Sequence, residues 1–130
     1  MLAESEREVA RSRCEATLLG NWREGRRATD GIPFGYPCPS PSHYPWQFYW
    51  DSCFHAVVWR HVEPSRARRE LESLLAVQRE DGFIGHTIFW NRPVRGYRRL
   101  TYNMTSSEAP MTASIQPPPV CPQETGAAGR

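Results

Sequence analysis

Between Tyr44 and His55 the chain reads Tyr-Pro-Trp-Gln-Phe-Tyr-Trp-Asp-Ser-Cys-Phe-His, twelve residues that hold six aromatic rings and one carboxylate, Asp51. A carboxylate loses free energy when it leaves water, so an acid set among Trp and Tyr needs a partner, a capping role or a ligand. Two chemistries fit this spacing. Asp51 and Ser52 can accept hydrogen bonds from the free amides of a helix start, with Phe54, Val57, Val58 and Val62 following at helical spacing. Alternatively, flat rings pack on the C–H faces of a pyranose while Asp and Gln pair with its adjacent hydroxyls. The two are compatible, because a helix N-terminus can open on a pocket.

Three segments, taken in order, carry a family resemblance. The run Tyr44-Pro-x-Gln-x-x-Trp-Asp-Ser-x-Phe-His55, the segment Asp81-Gly-Phe-Ile-Gly-His-Thr-Ile-Phe-Trp90 and Gln116-Pro-Pro118 together resemble the start of the mannosylglycerate and glucosylglycerate hydrolases. Those enzymes are similar to glycoside hydrolase family 63. The resemblance implies an all-α chain, an incomplete (α/α)6 toroid of helical hairpins with long loops. It assigns Tyr44, Trp50 and Asp51 to the wall of a sugar pocket, with Gln116 opening an inner helix towards it. Residues 1–120 then form the N-terminal part of such a glycosidase domain. Residues 121–130 depart from the family pattern, which continues into an apolar helix, and are expected to form a divergent, disordered tail. The chain therefore reads as a truncated or frame-shifted fragment acting on a small α-linked sugar acid.

Inverting glycoside hydrolysis, the kind this resemblance implies, needs two carboxyl groups about 6.5–9.5 Å apart across the scissile bond. Only Asp51 sits in a sugar-like environment, and it suits gripping hydroxyls, not transferring a proton. Glu63, Glu80 and Asp81 fall at helix ends where solvation explains them. Glu70 and Glu72 lie near Arg66, Arg68 and Arg69 and read as exposed charge partners. The catalytic acid and base are expected beyond the segments matched here, so the isolated chain is expected to be inactive. A carbohydrate-binding module and a helical interaction protein with an Arg-rich loop are the rival readings.

The formal charge of +2 is too small to argue for nucleic acid, and all sixteen basic residues are Arg. Cys14, Cys38, Cys53 and Cys121 form no close pair, and His43, His55, His61 and His86 lack the i, i+4 spacing of a helical metal site. No metal or cofactor is expected. The acidic, polar first residues lack the pattern of a secretory leader, and no apolar run approaches membrane-spanning length. The expected setting is cytoplasmic with reduced thiols, and the expected partner is a small carbohydrate, with neither nucleic acid nor membrane. Oligomeric state is left open.

These residues must be positioned by few elements. Val9, Ala10, Cys14, Leu18 and Leu19 predict a packing helix over residues 4–19. The proline-rich stretch 21–42 predicts an extended loop, with Tyr36 on a surface connector. A helix is predicted over 51–62 and, after Pro64 at its first turn, another to about Gln78 with Ala67, Leu71, Leu74 and Leu75 on one stripe. Two helices so closely joined are expected to pack antiparallel. Gly82 ends the helix, and the β-prone residues 83–90 could form a short strand or a pocket-lining loop, the loop being favoured, with His86 either structural or a donor to a hydroxyl. Residues 91–114 form a polar connection whose Arg92, Arg95, Arg98 and Arg99 offer a bidentate partner for a substrate carboxylate.

Overall fold

The computed structural model describes residues 3–90. Element order is α1 (Glu4–Asn21), β1 (Trp22–Arg26), β2 (Pro33–Pro37), β3 (Gln47–Phe48), α2 (Tyr49–Val62), α3 (Pro64–Leu75) and β4 (Thr87–Ile88). The expectation of an all-α chain is therefore corrected: three helices stand beside two antiparallel strand pairs, β1 with β2 and β3 with β4. Gln116, the Arg-rich connection and the tail lie outside the described residues.

The main departure is in the proline-rich stretch. Trp22 pairs with Pro37 and Arg26 with Pro33, closing a hairpin of two five-residue strands where an extended loop is expected. Proline is barred from helices and central strands, yet it is tolerated at the ends of an edge strand, and Pro33 and Pro37 are the two ends of β2. The hairpin loop is tied by an ion pair between Arg27 and Asp30. Asp30 Oδ1 also accepts the Ile32 amide at 3.2 Å, and Gly31 takes the left-handed conformation at φ 74°. Arg27 holds the Asp30 carboxyl at about 2, below the usual range.

β2 is buried from Phe34 to Pro37, so it shows none of the alternation that betrays a strand in sequence. Tyr36 is correspondingly in the core, its hydroxyl donating to the Pro45 carbonyl at 2.9 Å, and is no surface connector. The core gathers Phe34, Tyr36, Tyr49, Leu74, Ile84, Ile88 and Trp90, with the Phe34 and Trp90 rings stacked at 4.8 Å. Gly35 marks the closest approach of β2 to α3. Its amide donates to Ser73 Oγ at 2.8 Å, and an added Cβ would stand 2.6 Å from Arg69 Cγ and 2.7 Å from Trp22 Cζ2. Gly35→Ala is therefore expected to lower unfolding free energy by about 2 kcal/mol, as measured by urea titration. An unchanged midpoint would show that Arg69 and Trp22 yield freely.

α2 and α3 form the expected hairpin, linked by Glu63 alone, with Pro64 opening α3. Arg66 lies over Trp59 and Glu70 meets His55, so partners recede from Glu63 in step along both helices, which is antiparallel packing. α3 ends at Leu75, short of the expected Gln78, and Gly82, at φ 86°, serves the turn after it. Arg66 is also corrected. It is no solvated charge: its guanidinium stacks on Trp22 at 4.6 Å and on Trp59 at 5.6 Å, and its Nε donates to Glu63 at 2.7 Å. That partner holds the Glu63 carboxyl below its ordinary range. α1 forms as expected but buries none of its residues, so its role in the described region is not core packing. Among the described residues Cys14 and Cys38 are thiols, the first exposed and the second buried.

Candidate functional site

The aromatic motif sits where a strand runs directly into a helix. β3 pairs with β4, and the first amide of α2, Tyr49 N–H, donates to the His86 carbonyl at 2.9 Å. A neighbouring backbone thus satisfies an amide that a side chain would otherwise cap. The capping reading of Asp51 and Ser52 is corrected accordingly: α2 starts at Tyr49, and its N-cap position, Phe48, makes no side-chain capping bond. Asp51 instead occupies the first turn, where the helix dipole favours a negative charge. It is half-buried and makes no hydrogen bond or ion pair among the described residues.

Tyr44, ahead of β3, and Trp50, within this turn, are 51% and 46% exposed. Tyr44 sets its ring edge to Phe48 at 6.4 Å, and Phe48 meets His86 at 5.7 Å. Trp50 leans on Phe54, one turn along α2, at 6.5 Å. No ring contact joins Tyr44 to Trp50, and Gln116 lies outside the described residues. The buried face of α2 is Tyr49, Ser52, Cys53, Ala56 and Trp59. Of the apolar stripe read from sequence, Phe54 and Val58 are instead exposed, and with Trp50 they make an open apolar edge at i, i+4 and i+8.

Beneath the turn lies a polar network that the sequence reading missed. Trp90 Nε1 donates to Gln47 Oε1 at 2.9 Å. Gln47 Nε2 donates in turn to Ser52 Oγ at 3.1 Å and to the Glu70 carbonyl at 3.2 Å. The Glu70 carboxylate meets His55 Nδ1 at 3.1 Å. Gln47 and Glu70 are both 0% exposed, so Glu70 is corrected from exposed charge partner to buried acid; Glu72 is exposed as expected. Burial pushes the Glu70 carboxyl up to about 7, opposed by His55 and Ser52 and assisted by the negative charge of Asp51. The signal was present: Glu70 stands three residues after Ala67 and four before Leu74, on the very stripe the periodicity sends inward.

The family model of the mannosylglycerate hydrolase MGH1-like glycoside hydrolase domain matches residues 44–124. The chain belongs to this family. It is 34% identical over 87 residues to the mannosylglycerate hydrolase MGH1 of Selaginella moellendorffii, covering 66% of this chain and 18% of that protein. To the mannosylglycerate hydrolase of Thermus thermophilus it is 33% identical over 88 residues, 65% of this chain and 21% of the relative. The chain thus spans about a fifth of the length of these relatives. No solved structure matches it.

In this MGH1-like chain a hollow of about 130 Å³ lies between the hairpin and the aromatic segment, lined by Arg23, Glu24, Phe34, Tyr36, Pro45, Trp46 and Trp90. Neither Tyr44, Trp50 nor Asp51 lines it. Three of its polar side chains are engaged already: Arg23 donates to the Trp22 carbonyl, Glu24 accepts the Trp22 indole N–H, and the Tyr36 hydroxyl donates to the Pro45 carbonyl. Other carboxyls are likewise committed, Glu63 to Arg66 and Asp81 to Arg79 and the Phe83 amide. Among the described residues no cluster of His, Cys, Asp and Glu could hold a metal, and no helix is long and apolar enough to cross a membrane.

Proposed function

We propose that Tyr44, Trp50, Asp51 and Gln116 belong to the sugar-gripping wall of a glycoside hydrolase that acts on a small α-linked sugar acid of the mannosylglycerate or glucosylglycerate type. The observation that carries this reading is Asp51: a half-buried carboxylate in the first turn of α2, uncommitted among the described residues and directly after the exposed ring of Trp50, in a segment that also exposes Tyr44. The names of the relatives, mannosylglycerate hydrolases, support the substrate class. In this role Asp51 accepts hydrogen bonds from adjacent hydroxyls and orients the ring, while the two aromatic faces cover its C–H surface. Glu70 lies inside the core and Glu63 and Asp81 are paired, so none of these three serves in this reading as a partner across a scissile bond from Asp51. The chain alone therefore binds without turning substrate over.

Calorimetric titration of the 130-residue chain with mannosylglycerate tests the assignment. Asp51→Ala and Trp50→Ala are each expected to weaken binding about tenfold, the loss of a charge-assisted hydrogen bond or a ring contact. Equal affinity in Asp51→Ala would remove Asp51 from the site. Release of free sugar by the wild-type chain would overturn the division between gripping and catalysis.

A further inference from the structure

Glu70 is a costly residue to keep where it is. Its carboxyl is wholly enclosed, and Oε2 has no hydrogen-bond partner among the described residues. An apolar side chain of similar volume fills such a position at no electrostatic cost. What the acid touches is the far side of the proposed sugar wall. Ser52 directly follows Asp51, and His55 lies one helical turn beyond it; both face Glu70 from α2, as does the charge of Asp51 itself. Gln47, from the strand that runs into α2, completes the tie by bridging Ser52 and the Glu70 backbone.

We infer that Glu70 is a positioning residue: by holding His55 from behind, beside the Gln47 bridge to Ser52, it sets the pose in which the first turn of α2 presents Trp50 and Asp51. This rests on the sugar reading of those two residues. The contacts run to neighbours of Asp51 in sequence and not to α3 itself, so the group orients α2 relative to α3. The ionised carboxylate can only accept, as it does from His55 Nδ1–H, whereas the neutral acid spends one oxygen as a donor. Because the Glu70 carboxyl is lifted to about 7, the exchange between these two arrangements falls near neutral pH.

The test uses the full chain, with Glu70→Leu and Glu70→Gln, by amide NMR and mannosylglycerate titration. Glu70→Leu is expected to melt no lower than wild type yet bind about tenfold more weakly, while Glu70→Gln, which like the neutral acid keeps one accepting oxygen for His55, stays within about twofold. A filler role for Glu70 predicts no such separation of stability from affinity. In wild type the Glu70 carboxyl carbon and the Asp51 amide should titrate with one midpoint, a measurement that needs no variant. Wild-type affinity in Glu70→Leu, or different midpoints for those two signals, overturns the inference. Absence of sugar binding at every pH, with the shared midpoint retained, would instead sink the sugar reading and leave the positioning role standing.

Discussion

Replacing Gln47 by Leu is expected to cost about 4 kcal/mol of folding stability. Leucine matches the volume of glutamine but offers no polar atom, so the change strands the Trp90 indole N–H, which donates only 2.9 Å from Gln47 Oε1. It also removes the donor shared by Ser52 Oγ and the Glu70 carbonyl. These groups are buried, with Gln47 itself 0% exposed, so water cannot replace what is lost. Each buried group left without a partner costs about 1–3 kcal/mol. A domain of this size is stable by about 5–15 kcal/mol, so one substitution removes a large share of the total. Urea-induced unfolding followed by Trp fluorescence measures the difference directly. A loss below about 1 kcal/mol would mean that Trp90 finds another acceptor and that the network does not pin β3 to α2 and α3.

Stability is expected to fall as pH rises from about 4.5 to above 7, and to do so because of Glu70. Its folded carboxyl titrates near 7, while the unfolded side chain titrates at 4.5. Between those values the folded state retains a proton that the unfolded chain has released, so raising the pH favours unfolding. The stabilisation is whole below 4.5 and is lost as pH passes through 7, by about 3 kcal/mol in all. Asp30 and Glu63 are held low by Arg27 and Arg66 and act in the opposite sense, with their contribution lost only as pH falls below the usual carboxylate range. Thermal melts at pH 5 and pH 8 should separate in wild type and nearly coincide in Glu70→Gln. A pH profile that is the same in the two proteins would assign the effect to another group.

Both predictions turn on residues that local sequence describes poorly. The α2–α3 hairpin was legible: Pro64 fixes the start of α3, and a connection of one residue leaves little choice of packing. The family was legible too, because three spaced motifs occur in order. The inward face of α2 was not. Phe54, Val57, Val58 and Val62 look like a core stripe, yet Tyr49, Ser52, Cys53, Ala56 and Trp59 are the buried ones. The buried surface of α3 carries Glu70 and Ser73 beside Leu74, so polar and small residues of α2 find partners there that periodicity does not count. The β1–β2 hairpin was hidden by its own prolines, whose placement at strand ends is harmless only once the register is known.

Composition and motif order, by themselves, determined the membership of this chain in a glycoside hydrolase family, its three helices and the cluster of rings around a single acid. Side-chain chemistry and helical periodicity are local properties, and they survive being written in one dimension. Tertiary structure alone decided that Asp51 is held in a first turn without capping it, that Tyr36 and Glu70 are interior, and that Gln47 joins Trp90 to two helices. Those outcomes depend on contacts between residues as far apart as 47 and 90, and a hydrogen bond across that separation exists only after the chain has closed upon itself.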